Sequence, residues 1–296
     1  MRRWLTAVAL GGLAALVLSG CALPDGVDGD LTDDWAAIGA PVSFTPPAGT
    51  CHPRPVDIGY LSSYQPVDCG QTHDTETVYV GTFGGGDADR TTPPAEGSPS
   101  MRAARAECDG KVNEFVGGDW RGGRLSLSVV PPSSYAWEGG ARWFRCDLVE
   151  TGGLDNPDVV SRQQTLKGAL TAPDGLAYGC FTPKLVKDDI DQMQPVSCTA
   201  KHNSEFAGIW TAPDVPYDAF RKDDARTEKG CMGVIATFTK VPNNSDLQYR
   251  TGWIFYYPSE ADWAAGNRGV QCFLWIDGRS LTRSLKGAGP GALPIN

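Results

Sequence analysis

Two short constellations in this 296-residue chain carry side chains suited to acid–base or metal chemistry. His73 stands three residues before Glu76, and His202 stands three before Glu205. An imidazole and a carboxylate so close together suit a general acid/base pair or two ligands of a metal ion. A second recurring pair is Trp137 with Arg142 and Trp263 with Arg268. Indole faces of this kind can stack on sugars or peptides. Two counts weigh against chemistry. The chain has 3 histidines, and His52 is not repeated, since Phe181 takes its place. One His and one Glu per site are too few for a tight zinc centre. The preferred reading is therefore structural: the imidazole fixes a turn, Glu pairs or caps beside it, and Trp packs with Arg on its face. An interaction surface built on His73, Glu76, His202, Glu205, Trp137, Arg142, Trp263 and Arg268 is the next reading. Trp120, Trp143, Trp210, Trp253 and Trp275 have no matched positions and read as packing. No catalytic residue, metal ligand or cofactor is assigned. Nucleophile-elbow, phosphate-loop, dinucleotide and metalloprotease motifs are missing from the sequence.

Both constellations belong to a longer internal repeat. Gln65 to Glu76 reads QPVDCGQTHDTE, and Gln194 to Glu205 reads QPVSCTAKHNSE, at an offset of 129. Pro132, Trp137, Gly140, Arg142 and Cys146 match Pro258, Trp263, Gly266, Arg268 and Cys272 at an offset of 126. Thr165-Leu166-Lys167-Gly168-Ala169 matches Ser284-Leu285-Lys286-Gly287-Ala288 at 119. Three blocks in one order with a shrinking offset indicate a duplicated unit with shorter loops in the second copy.

Cysteine spacing follows the same division. Of 9 cysteines, eight fall into two sets of four: Cys51, Cys69, Cys108 and Cys146, then Cys180, Cys198, Cys231 and Cys272. The first interval is 18 residues in both sets. An even set in an exported chain reads as a disulfide framework. Sequence leaves three connectivities per set; we expect first with second and third with fourth. The ninth, Cys21, closes Leu18-Ser19-Gly20-Cys21 after Arg2, Arg3 and an apolar stretch from Trp4 to Leu18. That stretch is short for a membrane span but suits a signal peptide. Its end resembles the bacterial lipobox, in which the Cys thiol is lipidated and becomes the first residue after cleavage. Two acyl chains would then hold the protein at the outer face of the cell membrane.

The expected organisation is a lipoprotein signal peptide over 1–20 and a lipidated Cys21 with an acidic tether over 21–46. One domain follows over 47–171 and a second over 174–290, with a loose tail at 291–296. Stretched out, the tether spans about 80 Å. Without Arg2 and Arg3 the chain has 24 basic against 35 acidic residues, near −11. This argues against nucleic acid as the main partner.

The elements that must hold these residues read as ββαββ in each copy, an α+β fold of two tandem disulfide-stapled domains. β-like runs cover 77–82 and 206–210. Met101, Ala104, Cys108, Val112 and Phe115 share one helical face ended by Gly117-Gly118. A second helix is expected from about 219 to 238. Strands are expected over 124–130 and 247–257. Pro-Val-x-Cys is expected to be a strand in both copies.

The block Pro-Val-x-Cys-x-x-x-His-Asp/Asn-x-Glu, the block Trp-x-x-Gly-x-Arg-x-x-x-Cys and the closing Leu-Lys-Gly resemble the septum-formation domain of actinobacterial membrane and lipid-anchored proteins. The family's proline before His is replaced by Thr72 and Lys201, and Asn203 stands where the first copy has Asp74. The resemblance implies an extracytoplasmic protein of the division septum or envelope, with no enzymatic activity attached. The function expected is a lipid-anchored, non-enzymatic interaction protein with cell-wall or division proteins as partners. A wall hydrolase using the His/Glu pairs and a small-ligand sensor are the alternatives.

Overall fold

A computed structural model describes residues 43–173, 175–187 and 189–295. The signal segment, Cys21 and all but the last residues of the tether lie outside the described residues. Two antiparallel five-stranded sheets, each with one long helix and two disulfides, make an α+β fold. In the first half the chain forms β1 (Thr50–His52), β2 (Thr75–Thr82), helix α1 (Pro99–Val116), β3 (Leu125–Val130), the one-turn helix α2 (Ser134–Glu138), β4 (Trp143–Gly153) and β5 (Asn156–Val159). In the second it forms β6 (Cys180–Val186), β7 (Asp189–Val196), β8 (Ser204–Thr211), α3 (Tyr217–Arg221), α4 (Asp224–Thr239), β9 (Gly252–Tyr256), α5 (Glu260–Ala264) and β10 (Gly269–Trp275). The strand order β1-β2-β4-β3 recurs as β6-β8-β10-β9, with β5 and β7 added on β4 and β6.

The helices start and stop where local chemistry dictates. The Ser98 hydroxyl accepts from Met101 N, Pro99 opens α1, and Gly117 ends it at φ 86°, a left-handed conformation that suits glycine. Met101, Ala104, Cys108, Val112 and Val116 are its buried stripe. The helix expected over 219–238 is split. Asp223 leaves helical geometry and its side chain accepts from Arg226 N, so it caps a new helix, α4, and ends α3 two residues earlier. The strand expected from 247 begins at Gly252 instead. Leu247–Tyr249 is a 3-10 turn, anchored by buried Leu247 and by Arg250 Nη1 donating to Leu293 O at 2.6 Å. Pro-Val-x-Cys ends a full strand only in the second half, where β7 pairs with β6. In the first half its sole ladder contact is a Cys51–Val67 bridge, and Cys69 and Cys198 both sit in turns.

The disulfides join Cys51 to Cys69, Cys108 to Cys146, Cys180 to Cys198 and Cys231 to Cys272. The second and fourth bolt α1 to β4 and α4 to β10 inside the cores. The first and third close 18-residue loops at the edge of each half.

The halves touch through polar side chains. Arg121 donates from Nε to Asn267 Oδ1 at 2.6 Å, and its carbonyl accepts from Gln271 Nε2 at 2.7 Å. A Cβ on Gly269 would lie 2.3 Å from Arg121 Cδ, so glycine lets the arginine pass. Asp155, in the β4–β5 turn, accepts from Met193 N at 2.7 Å and from Tyr256 Oη at 3.0 Å. At the start of the described chain, Phe44 O accepts from Trp143 Nε1 at 2.9 Å, and the Phe44 ring meets Tyr64 edge-on. Among the described residues no helix is long and apolar enough to cross a membrane.

Burial ranks the disulfides by access. Cys108, Cys146, Cys231 and Cys272 are each 0% exposed, whereas Cys69 and Cys198 are half-buried. A mild phosphine reductant on the native protein is expected to free Cys51, Cys69, Cys180 and Cys198 first. Alkylation and peptide mass mapping read this directly, and early labelling of Cys108 or Cys231 would contradict the ranking.

Candidate functional site

His73 and His202 occupy the same place in the two halves. Each exchanges backbone hydrogen bonds with the segment before the closing Leu-Lys-Gly block. His73 N donates to Arg162 O at 2.9 Å, and Arg162 N returns to His73 O at 2.8 Å; His202 does the same with Leu281. Each Nδ1 faces the carbonyl two residues back, Gln71 O at 2.8 Å or Ala200 O at 2.9 Å. A carbonyl only accepts, so Nδ1 carries the hydrogen.

The neighbouring carboxylates clamp the closing block. Glu76 Oε2 accepts from Leu166 N at 2.6 Å and Oε1 from the Thr165 hydroxyl at 2.7 Å. Glu205 accepts from Leu285 N at 2.9 and 3.1 Å and from the Ser284 hydroxyl at 2.6 Å. All four His and Glu side chains are at most 3% exposed. The halves differ at one atom. His202 Nε2 lies 3.3 Å from Glu205 Oε1, while His73 Nε2 has no partner among the described residues.

Sulfur lies beside both carboxylates. Cys180, His202 and Glu205 bring ligand-type atoms within 4.8 Å of one another, as do Cys51, Cys69 and Glu76. Every one of these sulfurs is in a disulfide, which is not a thiolate donor. With the bridges closed, the donor set is one His and one Glu in the second half and one Glu in the first. That set does not fit a four-coordinate zinc centre.

Trp137 and Trp263 face inward, 1% and 3% exposed. The Arg142 guanidinium stacks 4.2 Å from the Trp137 ring centroid, and Arg268 stacks 4.1 Å from Trp263. Arg142 Nη1 donates to Trp137 O, and Arg268 Nη1 to Trp263 O. Each indole N–H donates to a carbonyl across the fold: Arg90 O at 2.8 Å, Val215 O at 2.9 Å. Arg268 also grips Asp214, whose carboxyl it holds below its usual range. As a stacking platform for sugar these indoles are unavailable, since their faces are already covered.

Two features escaped the sequence reading. The first is a buried polar cluster in the first half. The Thr77 hydroxyl donates to Asp147 Oδ1 at 2.7 Å and lies 3.2 Å from His52 Nε2; Arg145 Nη2 is 2.9 Å from Asp147 Oδ2. Burial pushes the Asp147 carboxyl up, opposed by Arg145. Burial, reinforced by Arg145, lowers His52 to about 4. At the offsets of 129 and 126, His52, Thr77 and Asp147 correspond to Phe181, Phe206 and Phe273. Those three rings pack edge to face in the second half, with centroids 5.3 and 5.4 Å apart. The signal was present in the repeat as three polar-for-Phe exchanges at matched positions.

The second is a cleft of about 700 Å³ between the halves, a size that suits a small ligand. Pro93, Pro94, Pro131, Pro132, Tyr60 and Met101 supply its apolar lining; Asp57, Glu96 and Asp262 supply carboxylates; Arg105 lies among them. Arg105 is 4% exposed, stacks 5.3 Å from Trp120 and donates to Leu127 O at 3.2 Å and Asp109 Oδ1 at 3.3 Å. Its Nη2 has no partner among the described residues. Burial lowers its pKa, with Asp109 opposing.

A family model described as septum formation matches residues 48–272, one match that runs through both halves and takes in all eight bridged cysteines. No curated protein and no solved structure matches the chain.

Two outcomes follow from the buried groups. Glu76→Ala or Glu205→Ala strands a backbone N–H and a hydroxyl, and each should lower unfolding free energy by about 3 kcal/mol in urea titration. A loss under about 0.5 kcal/mol, the level of a neutral surface change, would contradict the clamp. His52 stays neutral in the fold down to about 4, while the unfolded chain takes up a proton near its ordinary 6.5. Stability should therefore fall as pH drops through that window, by at most about 3 kcal/mol from this group. Asp147 titrates in both proteins, so a His52→Gln variant should show a shallower slope of stability against pH. Identical slopes would remove His52 as the cause.

Proposed function

The chain belongs to the septum-formation family, and from that premise we propose that it is a non-enzymatic interaction protein of the cell envelope, held outside the membrane by lipid on Cys21. The carrying observation is the inward orientation of the repeated His, Glu and Trp side chains, with the repeated Arg folded back on Trp. His73, Glu76, Trp137 and Arg142, with their second-half counterparts, bond to the protein's own backbone. They build the fold; what remains for a partner is outer surface and the cleft between the halves. The acidic residues after Cys21, Asp25, Asp28, Asp30, Asp33 and Asp34, suit a spacer that keeps the folded part off the membrane. Cell-wall or division-machinery proteins are the proposed partners.

A fluorescent fusion of the full chain should sit in the membrane fraction and concentrate at the division septum. Cys21→Ser should release it from the membrane. Cross-linking in intact cells should retrieve envelope or division proteins above a control carrying only the signal and lipid anchor. Uniform membrane staining together with no enrichment over that control would sink the proposal.

A further inference from the structure

The cleft beside Arg105 is built from both halves and is not itself repeated. At the offset of 126, Asp262 on α5 corresponds to Ala136, and the Cys108–Cys231 match places Glu228 opposite Arg105. The two halves therefore cooperate in one site that neither repeats. Its long side is the outer edge of the first sheet, where β3 pairs with β4 alone. Arg124 O accepts from Thr151 N, so even-numbered residues of β3 turn their backbone toward β4. Odd-numbered ones turn outward, as Arg105 Nη1 on Leu127 O and Gly59 N on Pro131 O show. Between those two capped carbonyls, Val129 is left with its N–H and C=O facing out beside the cleft. Leu127, Ser128 and Val129 all line it.

Carboxylates outnumber cations three to one among the residues lining the cleft. Asp57, Glu96 and Asp262 form no ion pair among the described residues, and all three line the cleft. The one cation there, Arg105, is buried beneath with Nη2 unpartnered. An unpaired strand edge takes an extended backbone, apolar walls take alternate side chains, and carboxylates attract a cation. We propose that the cleft binds an extended cationic peptide segment of a partner protein, which pairs with β3 at Val129, offers a carbonyl to Arg105 Nη2 and sets a Lys or Arg side chain against Asp262 and Glu96. This rests on the reading of the chain as an interaction protein and names the partner chemistry.

The test uses the full chain in detergent and a fluorescein-labelled Val-Lys-Val-Lys-Val peptide, followed by anisotropy. Saturable binding at one peptide per chain is expected, at least tenfold tighter than Val-Glu-Val-Glu-Val. Asp262→Asn with Glu96→Gln should weaken it at least tenfold. Val129→Pro removes the outward N–H and alters a side chain packed on the first core, keeps the hydrogen bonds to β4, and should abolish binding while thermal melting retains one cooperative transition. If that variant does not fold, the carboxylate pair carries the test alone. Equal affinity for both peptides, two sites per chain, or displacement by spermidine with Val129→Pro unaffected would each overturn the proposal. Loss of peptide binding with septal enrichment intact overturns this inference and leaves the broader function standing.

Discussion

A carboxylate taken out of water must be met by hydrogen bonds, or the fold that buries it is not the stable one. Glu76 and Glu205 meet that demand with the same two groups, a backbone N–H and a hydroxyl at the start of the closing block. The partner segment lies about ninety residues away in the first half and eighty in the second. Each half is thus drawn shut by one side chain near its beginning acting on its end. The neighbouring His ties the same two stretches through the backbone, and the edge disulfide braces the loop that leads in. The long helix and its buried disulfide then fill the space so enclosed. Remove the carboxylate and the strands persist, but the closing segment loses its side-chain clamp and keeps its backbone bonds to His73 or His202 and its buried leucine.

This explains which parts were legible beforehand. Cysteine spacing and the three matched blocks marked out the architecture, because the residues that recur are those whose hydrogen bonds and sulfurs define it. Helix α1 was visible in its apolar period and its Gly117 stop. The break before α4 was not, because Asp223 reads equally well as a solvated helical residue or as a cap, and its backbone decides. Nor was the one-turn helix at 134–138, which Ser133 caps and which is too short to show a helical period. The cleft was invisible for a different reason: its charged groups come from α1, from α5 and from loops ahead of both, with no shared spacing. The inward turn of Trp137 and Trp263 could be weighed in advance but not settled, since an indole above an Arg looks the same in sequence whether it faces water or core.

The recurring strand order also leaves room for difference. In one half the central cluster is His52, Thr77, Asp147 and Arg145; in the other the matched volume holds Phe181, Phe206 and Phe273, with Gln271 in place of Arg145. Replacing a buried ion pair by well-packed hydrophobes is often neutral or stabilising. The second half has the composition of such a replacement already made. The first keeps a charged centre whose protonation couples its stability to acidity. The two units can share a strand order and a disulfide plan and still answer differently to their surroundings.

The hydrogen bond from Trp143 to Phe44 has a mechanical consequence. Anything tugging on the chain ahead of residue 43 breaks that one bond first and then loads β1 at Thr50, on the ladder it shares with β2. One residue further the force meets Cys51 and passes through its sulfur bridge to Cys69. A leash attached there would pull across the bridge and leave the loop it closes out of the line of force.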